Sequence, residues 1–201
     1  MGKILMLNGS PRAPRSNSKQ YAELFSRVCK WDAEYDAITR TNHLELCQRL
    51  EDFSDLLLVF PLYADSLPVT LFNFLKTLEA HPPQRKPTVS VLINCGFLEP
   101  EQNELAVKIL ELYCRENGYP FGSVLAIGGG EAILGTPFRI LVRSRLKKLA
   151  ASLERGAYGR WKVTMPISKG MFLKASTKYW LSYGAKNGVT GEQMATMRIE
   201  E

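Results

Sequence analysis

Four short runs of almost unbroken apolar residues constrain this chain more than any other feature: KILMLN from Lys3, DLLLVFP from Asp55, TVSVLINC from Thr88 and SVLAIGG from Ser123. Each is too short for a core helix and too uniformly apolar for a strand with one wet face, so each reads as a parallel strand covered on both sides. The intervening segments differ. Tyr21, Leu24, Phe25 and Val28 recur at helical spacing, as do Leu71, Phe74, Leu75 and Leu78, and again Leu105, Ile109, Leu112 and Tyr113, which gives three helices with one apolar stripe each. A further run, AEYDAI from Ala33, mixes polar and apolar residues and suits an edge. Parallel strands joined through helices cross over right-handedly, and the polar second strand takes the margin. The expectation is an α/β fold with a doubly wound, five-stranded parallel sheet in the order 2-1-3-4-5.

The 201 residues, 45% of them hydrophobic, suffice for one core, and the marked change of character comes after Arg155. Residues 1–155 are therefore expected to form the main domain. Residues 156–201 hold two of the three tryptophans and many Gly and Lys, and read as a C-terminal extension with one more helix, packed on the same domain. So much apolar surface in a tail also predicts a homodimer. Cys29, Cys47, Cys95 and Cys114 are widely spaced without a CxxC pair, and His43 and His81 stand alone, so no metal site is predicted and a reduced, cytoplasmic setting is expected. No apolar run approaches the ~20 residues that span a bilayer. A net charge of +6 favours anionic ligands. Arg139, Arg143, Arg145, Lys147 and Lys148 crowd one helix without an accompanying recognition motif, so they read as a solvated face and not as a nucleic-acid site.

Ligands of a doubly wound sheet sit beyond the carboxyl ends of the strands where the winding reverses, here the loops after strands one, three and four. The first of these loops is GSPRAPRSNS. Gly9 permits a tight turn, Ser10, Ser16 and Ser18 bring hydroxyls, and Asn17 brings an amide. The helix opening there presents unpaired N–H groups and the positive end of its dipole. Such a loop cradles a phosphate, and Arg12 and Arg15 can add a charged fork. Neither GxxxxGK[ST] nor GxGxxG follows this strand, which points to a phosphomonoester and away from a triphosphate or dinucleotide.

In these residues the sequence resembles the flavodoxin-like family, specifically its NAD(P)H-dependent FMN reductase and flavodoxin-type oxidoreductase branch. The resemblance implies that Ser10, Arg12, Ser16, Asn17 and Ser18 hold the FMN phosphate. FPLYADSLPVTLFNFLK is similar to the family's segment after the third strand, with Pro61, Tyr63 and Pro68 in matching places. It implies that Pro61, Leu62, Tyr63, Ala64 and Asp65 line the flavin ring. NCGFLEPEQNELAV resembles the third flavin loop and adds Asn94, Cys95, Gly96 and Phe97. Cys95 has no base near it in sequence and reads as packing, and the triple glycine of IGGGEAI reads as a tight turn or as another wall of the pocket. The implied activity is an FMN-dependent oxidoreductase that takes hydride from NADH or NADPH and reduces a quinone, an azo or nitro compound or another acceptor, with no catalytic side chain. Two other readings share the fold. One is a flavodoxin-type electron carrier, disfavoured by the basic balance because such carriers are usually acidic. The other is a cofactor-free regulatory domain.

Overall fold

The computed structural model describes residues 2–13 and 15–196. β1 (Lys3–Asn8) leads through a loop and α1 (Asn17–Ser26) to β2 (Asp32–Ala37), every residue of which is at least partly exposed. α2 (His43–Arg49) precedes β3 (Asp55–Pro61), and α3 (Val69–Ala80) precedes β4 (Thr88–Asn94). α4 (Glu104–Glu116) then leads to β5 (Phe121–Ile127), and α5 (Arg139–Arg155) follows. All strands pair in parallel, with β2 at one margin.

The sheet has six strands and not five, in the order 2-1-3-4-5-6. The sixth, β6 (Arg160–Val163), runs parallel to β5 with Trp161 opposite Leu125. Its four residues read RWKV, with Arg160 and Lys162 exposed and only Val163 buried, so no apolar run announces it. A short cationic strand is a common way to close a sheet edge against further pairing.

Side chains alternate between the two faces of the sheet. Leu5, Leu7, Leu56, Leu58 and Val91 face a core closed by α2, α3 and α4, while α1 and α5 pack together over the other face. α3 buries Leu71, Phe74, Leu75 and Leu78, the stripe its spacing predicts. α4 departs from its predicted stripe. It buries Ala106, Val107, Leu110 and Cys114, and leaves Leu105 and Leu112 about half exposed. Two apolar series interleave along this helix, and the one with small Ala106 and Cys114 lets the backbone approach the sheet more closely. Tyr113 stays at the rim, its hydroxyl donating to the Leu75 carbonyl at 3.0 Å.

The chain divides into two units, Met1–Met165 and Pro166–Glu201. The second holds two helices where one was expected: α6 (Lys169–Lys186), capped by the Ser168 hydroxyl accepting from Met171 N–H, and α7 (Gly191–Thr196). Gly184 of α6 meets α7 so closely that a Cβ there would lie 2.6 Å from Met194 Sδ.

Candidate functional site

Asn8 ends β1, is fully buried, and organises the loop that follows. Its Nδ2 donates to Ser16 Oγ at 3.1 Å and to Tyr35 Oη at 3.0 Å, while its Oδ1 accepts from Ser10 N–H at 2.9 Å. Ser16 in turn caps α1, its hydroxyl accepting from Lys19 N–H at 3.2 Å. The N–H groups of Asn17 and Ser18 have no acceptor within the helix. Gly9 lets this loop approach α3, since a Cβ would stand 3.0 Å from Leu71 Cβ, and its carbonyl accepts from Thr70 Oγ1 at 3.1 Å. Arg12 and Arg15 are exposed on this loop.

The other loops are tied to the first. Asn94, buried at the end of β4, donates through Nδ2 to Ser18 Oγ and to the Phe60 carbonyl, both at 3.2 Å. Leu62 N–H donates to the Asn94 carbonyl at 2.8 Å, which fixes the loop after β3 beside the loop after β4. Tyr63 and Ser66 then exchange backbone hydrogen bonds at 3.1 and 2.8 Å around Ala64 and Asp65, whose φ angles are 45° and 57°. A tight hairpin with positive φ at both central residues normally takes Gly, Asn or Asp. Ala64 therefore sits in a costly conformation, and Ala64→Gly is expected to raise stability by about 0.5–1 kcal/mol, the steric relief outweighing the entropy glycine adds to the unfolded chain. The midpoint of urea unfolding measures it.

Behind these loops, the triple glycine after β5 is a packed wall and more than a turn. Gly128 N–H donates to Val163, Gly129 N–H to Phe97 and Gly130 N–H to Cys95, while the buried Tyr21 hydroxyl donates to the Gly130 carbonyl at 2.7 Å. Burial pushes the Tyr21 phenol far up, so it stays protonated and keeps that bond.

Between the three loops lies a cavity of about 360 Å³, within the range that takes a small cofactor. Ser10, Arg12, Ser16, Asn17 and Ser18 of the first loop line one part of it, and Pro61, Leu62, Tyr63, Asn94, Cys95 and Gly96 of the other two loops line another, the two parts meeting where Asn94 bonds to Ser18. Ala64, Asp65 and Phe97 stand outside this lining. The first two form the outer turn, Asp65 facing a separate depression with Glu101 and Leu105, and Phe97 is 53% exposed. Arg15, raised from the sequence as a second cation, does line the cavity. Gln20 and Glu131 line it without having been foreseen. Gln20 was within reach of pattern reasoning, lying one turn into α1, where its Nε2 donates to Asn17 Oδ1 at 3.1 Å.

The two parts differ chemically. One gathers hydroxyls, an amide, helix-end N–H groups and two guanidinium groups, a donor set suited to a phosphate monoester. The other holds fewer charged groups, and Gly96 leaves open space there, a Cβ meeting only Glu131 Cδ at 3.9 Å. The residues present fit a planar ring carrying a phosphate, as FMN does. Cys95 adds no reactive group. Burial pushes its thiol up, Asn103 Nδ2 donates to Sγ at 3.3 Å, and the carbonyls of Phe97, Glu99 and Ile127 surround it at 3.6–3.7 Å.

A parallel sheet with this strand order, helices on both faces and a cavity over the carboxyl ends of β1, β3 and β4 is the flavodoxin-like fold. Solved structures share it. The chain is similar to the Trp repressor binding protein from Bacillus subtilis, at 18% identity and a TM-score of 0.61 over 73% of this chain and 99% of that one. It is similar to an NAD(P)H:quinone oxidoreductase from Methanothermobacter marburgensis, at 16% identity and a TM-score of 0.59, covering 77% and 98%. It is also similar to an FMN-dependent NADH-azoreductase from Bacillus anthracis in complex with FMN, at 14% identity and a TM-score of 0.54, covering 76% and 99%. No protein-family model and no curated protein matches the chain.

Proposed function

We propose that the cavity holds FMN by its phosphate and that the protein is an NADH- or NADPH-dependent oxidoreductase of small acceptors such as quinones and azo or nitro compounds. The observation that carries this reading is the cavity itself, lined both by the donor cluster at the start of α1 and by Leu62, Tyr63 and Gly96 of the loops after β3 and β4. Similarity in fold to an NAD(P)H:quinone oxidoreductase and to an FMN-dependent azoreductase supports the same class. Bound FMN supplies two-electron redox chemistry between a nicotinamide and an acceptor.

The chain's own residues bind and orient. Arg12, Arg15 and the N–H groups of Asn17 and Ser18 neutralise the phosphate dianion, and the Ser10 and Ser16 hydroxyls complete its hydrogen bonds. Leu62, Tyr63 and Gly96 would line the ring of the bound flavin. Cys95, neutral and enclosed by carbonyls, moves no proton. Cys95→Ser is therefore expected to keep most NAD(P)H-dependent dye or quinone reduction, because a serine hydroxyl finds the same carbonyls as partners.

Anaerobic mixing of the FMN-loaded protein with NADH and with NADPH tests the reading. Bleaching of the flavin by at least one of them within seconds is the expected result. A flavin that stays oxidised with both, yet is reduced by a protein donor, would make the chain an electron carrier.

A further inference from the structure

The segment Lys169–Lys186 carries four lysines and no acidic residue, and it folds as one continuous helix, α6. Its large apolar side chains are not buried: Met171 is 60% exposed, Leu173 54%, Tyr179 58%, Trp180 47% and Tyr183 53%. Helical spacing places Phe172, Tyr179 and Tyr183 along one side, with Leu173 and Trp180 next to them. Tyr179, Trp180 and Tyr183 form a mutual aromatic cluster, with ring centroids 5.2, 6.0 and 6.2 Å apart. Lys174 and Lys178, four residues apart, lie away from that side and are exposed, with Leu181, 45% exposed, beside them, and Lys186 is exposed as well.

We propose that α6 is an interfacial helix that docks on an anionic lipid bilayer. Charge complementarity selects this occupant. A helix with four lysines and no acidic residue is attracted to a negatively charged surface, whereas a second copy of the helix offers those lysines no acidic side chain to meet. The composition of the stripe agrees. Tyrosine and tryptophan combine an apolar body with a polar tip and settle at the level of lipid headgroups, and lysine stems reach from there to the phosphates. The helix lies on the membrane and does not cross it, since among the described residues no helix is long and apolar enough to span a bilayer. This inference does not depend on the flavin reading.

Co-sedimentation of the full-length protein with vesicles of phosphatidylcholine, with and without phosphatidylglycerol, tests it. Binding is expected to the anionic vesicles, to weaken with salt, and to be accompanied by a blue shift of the fluorescence contributed by Trp180, isolated by subtracting a Trp180→Phe variant. Each lysine near the surface is worth about fivefold in partitioning, so the Lys174→Gln/Lys178→Gln double variant is expected to bind roughly 25-fold more weakly. Circular dichroism of the variants establishes that they remain folded. Failure to partition onto anionic vesicles, or equal binding to both kinds of vesicle, overturns the proposal. So does a dimer in sedimentation that Trp180→Ala dissociates while wild-type protein ignores vesicles, a result that would assign the stripe to a second copy of this chain.

Discussion

Gly128→Ala is expected to destabilise the protein by on the order of 3 kcal/mol, as overpacking against atoms that cannot rotate away does. A Cβ at this position would stand 2.3 Å from the Leu98 carbonyl oxygen and 2.9 Å from Pro100 N, both of them backbone. Relief would require the loop after β4 to separate from the loop after β5. That would strain the bonds from Gly129 N–H to Phe97 and from Gly130 N–H to Cys95, now 2.5 and 2.7 Å, and disturb the wall behind the cavity. Gly135→Ala is the matched control, since nothing lies within 4 Å of a Cβ there. Urea unfolding should show a lower midpoint at unchanged slope for the first variant and a shift within ~0.5 kcal/mol for the second. Equal midpoints would mean that the two loops are not in the contact described.

The second large effect belongs to the loop after β1. Ser16→Ala and Asn17→Ala are each expected to weaken FMN binding by roughly tenfold to a hundredfold, the cost of one lost hydrogen bond to a charged group at ~1.5–3 kcal/mol. Asn8→Ala is expected to do the same without touching the ligand. Its side chain holds Ser10 N–H and Ser16 Oγ in place, and removing it unfastens the cradle from beneath. The three variants differ in one respect. Ser16→Ala and Asn8→Ala also lose stability, through a helix cap and through buried hydrogen bonds, whereas Asn17 is half-buried and gives up only a surface bond from Gln20, so its loss is read mainly in the ligand. Flavin fluorescence titration gives each affinity. Variants that bind FMN as wild type does would remove the phosphate from this loop.

Most of this architecture was legible because apolar runs and helical stripes are long-range patterns. β1, β3, β4 and β5 announce themselves as strands buried on both sides, and β2 as a margin, since polar residues are tolerated only there. β6 was not legible. Four residues with two exposed cations carry no periodicity, and the strand exists because β5 offers an unpaired edge. The α4 stripe was misassigned because Leu105 and Leu112 are larger than Ala106 and Cys114, and packing distance to the sheet decided against size. Within the site, the residues that line the cavity, Gln20 and Glu131 apart, were named from loop position and from the resemblance. The residues supporting them were not. Asn8 reads as the last residue of a strand, and its three-way role depends on Tyr35, which only the sheet brings alongside. Glu131 lies beyond the fifth strand, and the fold curls its loop back over the end of β4.

Titration of the wild-type protein with FMN and with riboflavin tests whether the donor cluster at the start of α1 binds the phosphate of FMN. The two ligands share the ring and ribityl chain and differ in the phosphate alone. At least two charge-assisted hydrogen bonds at ~1.5 kcal/mol each would make FMN bind on the order of a hundredfold tighter or more, with the difference shrinking as salt rises. Equal affinity for both flavins, or no affinity for either, would contradict the account.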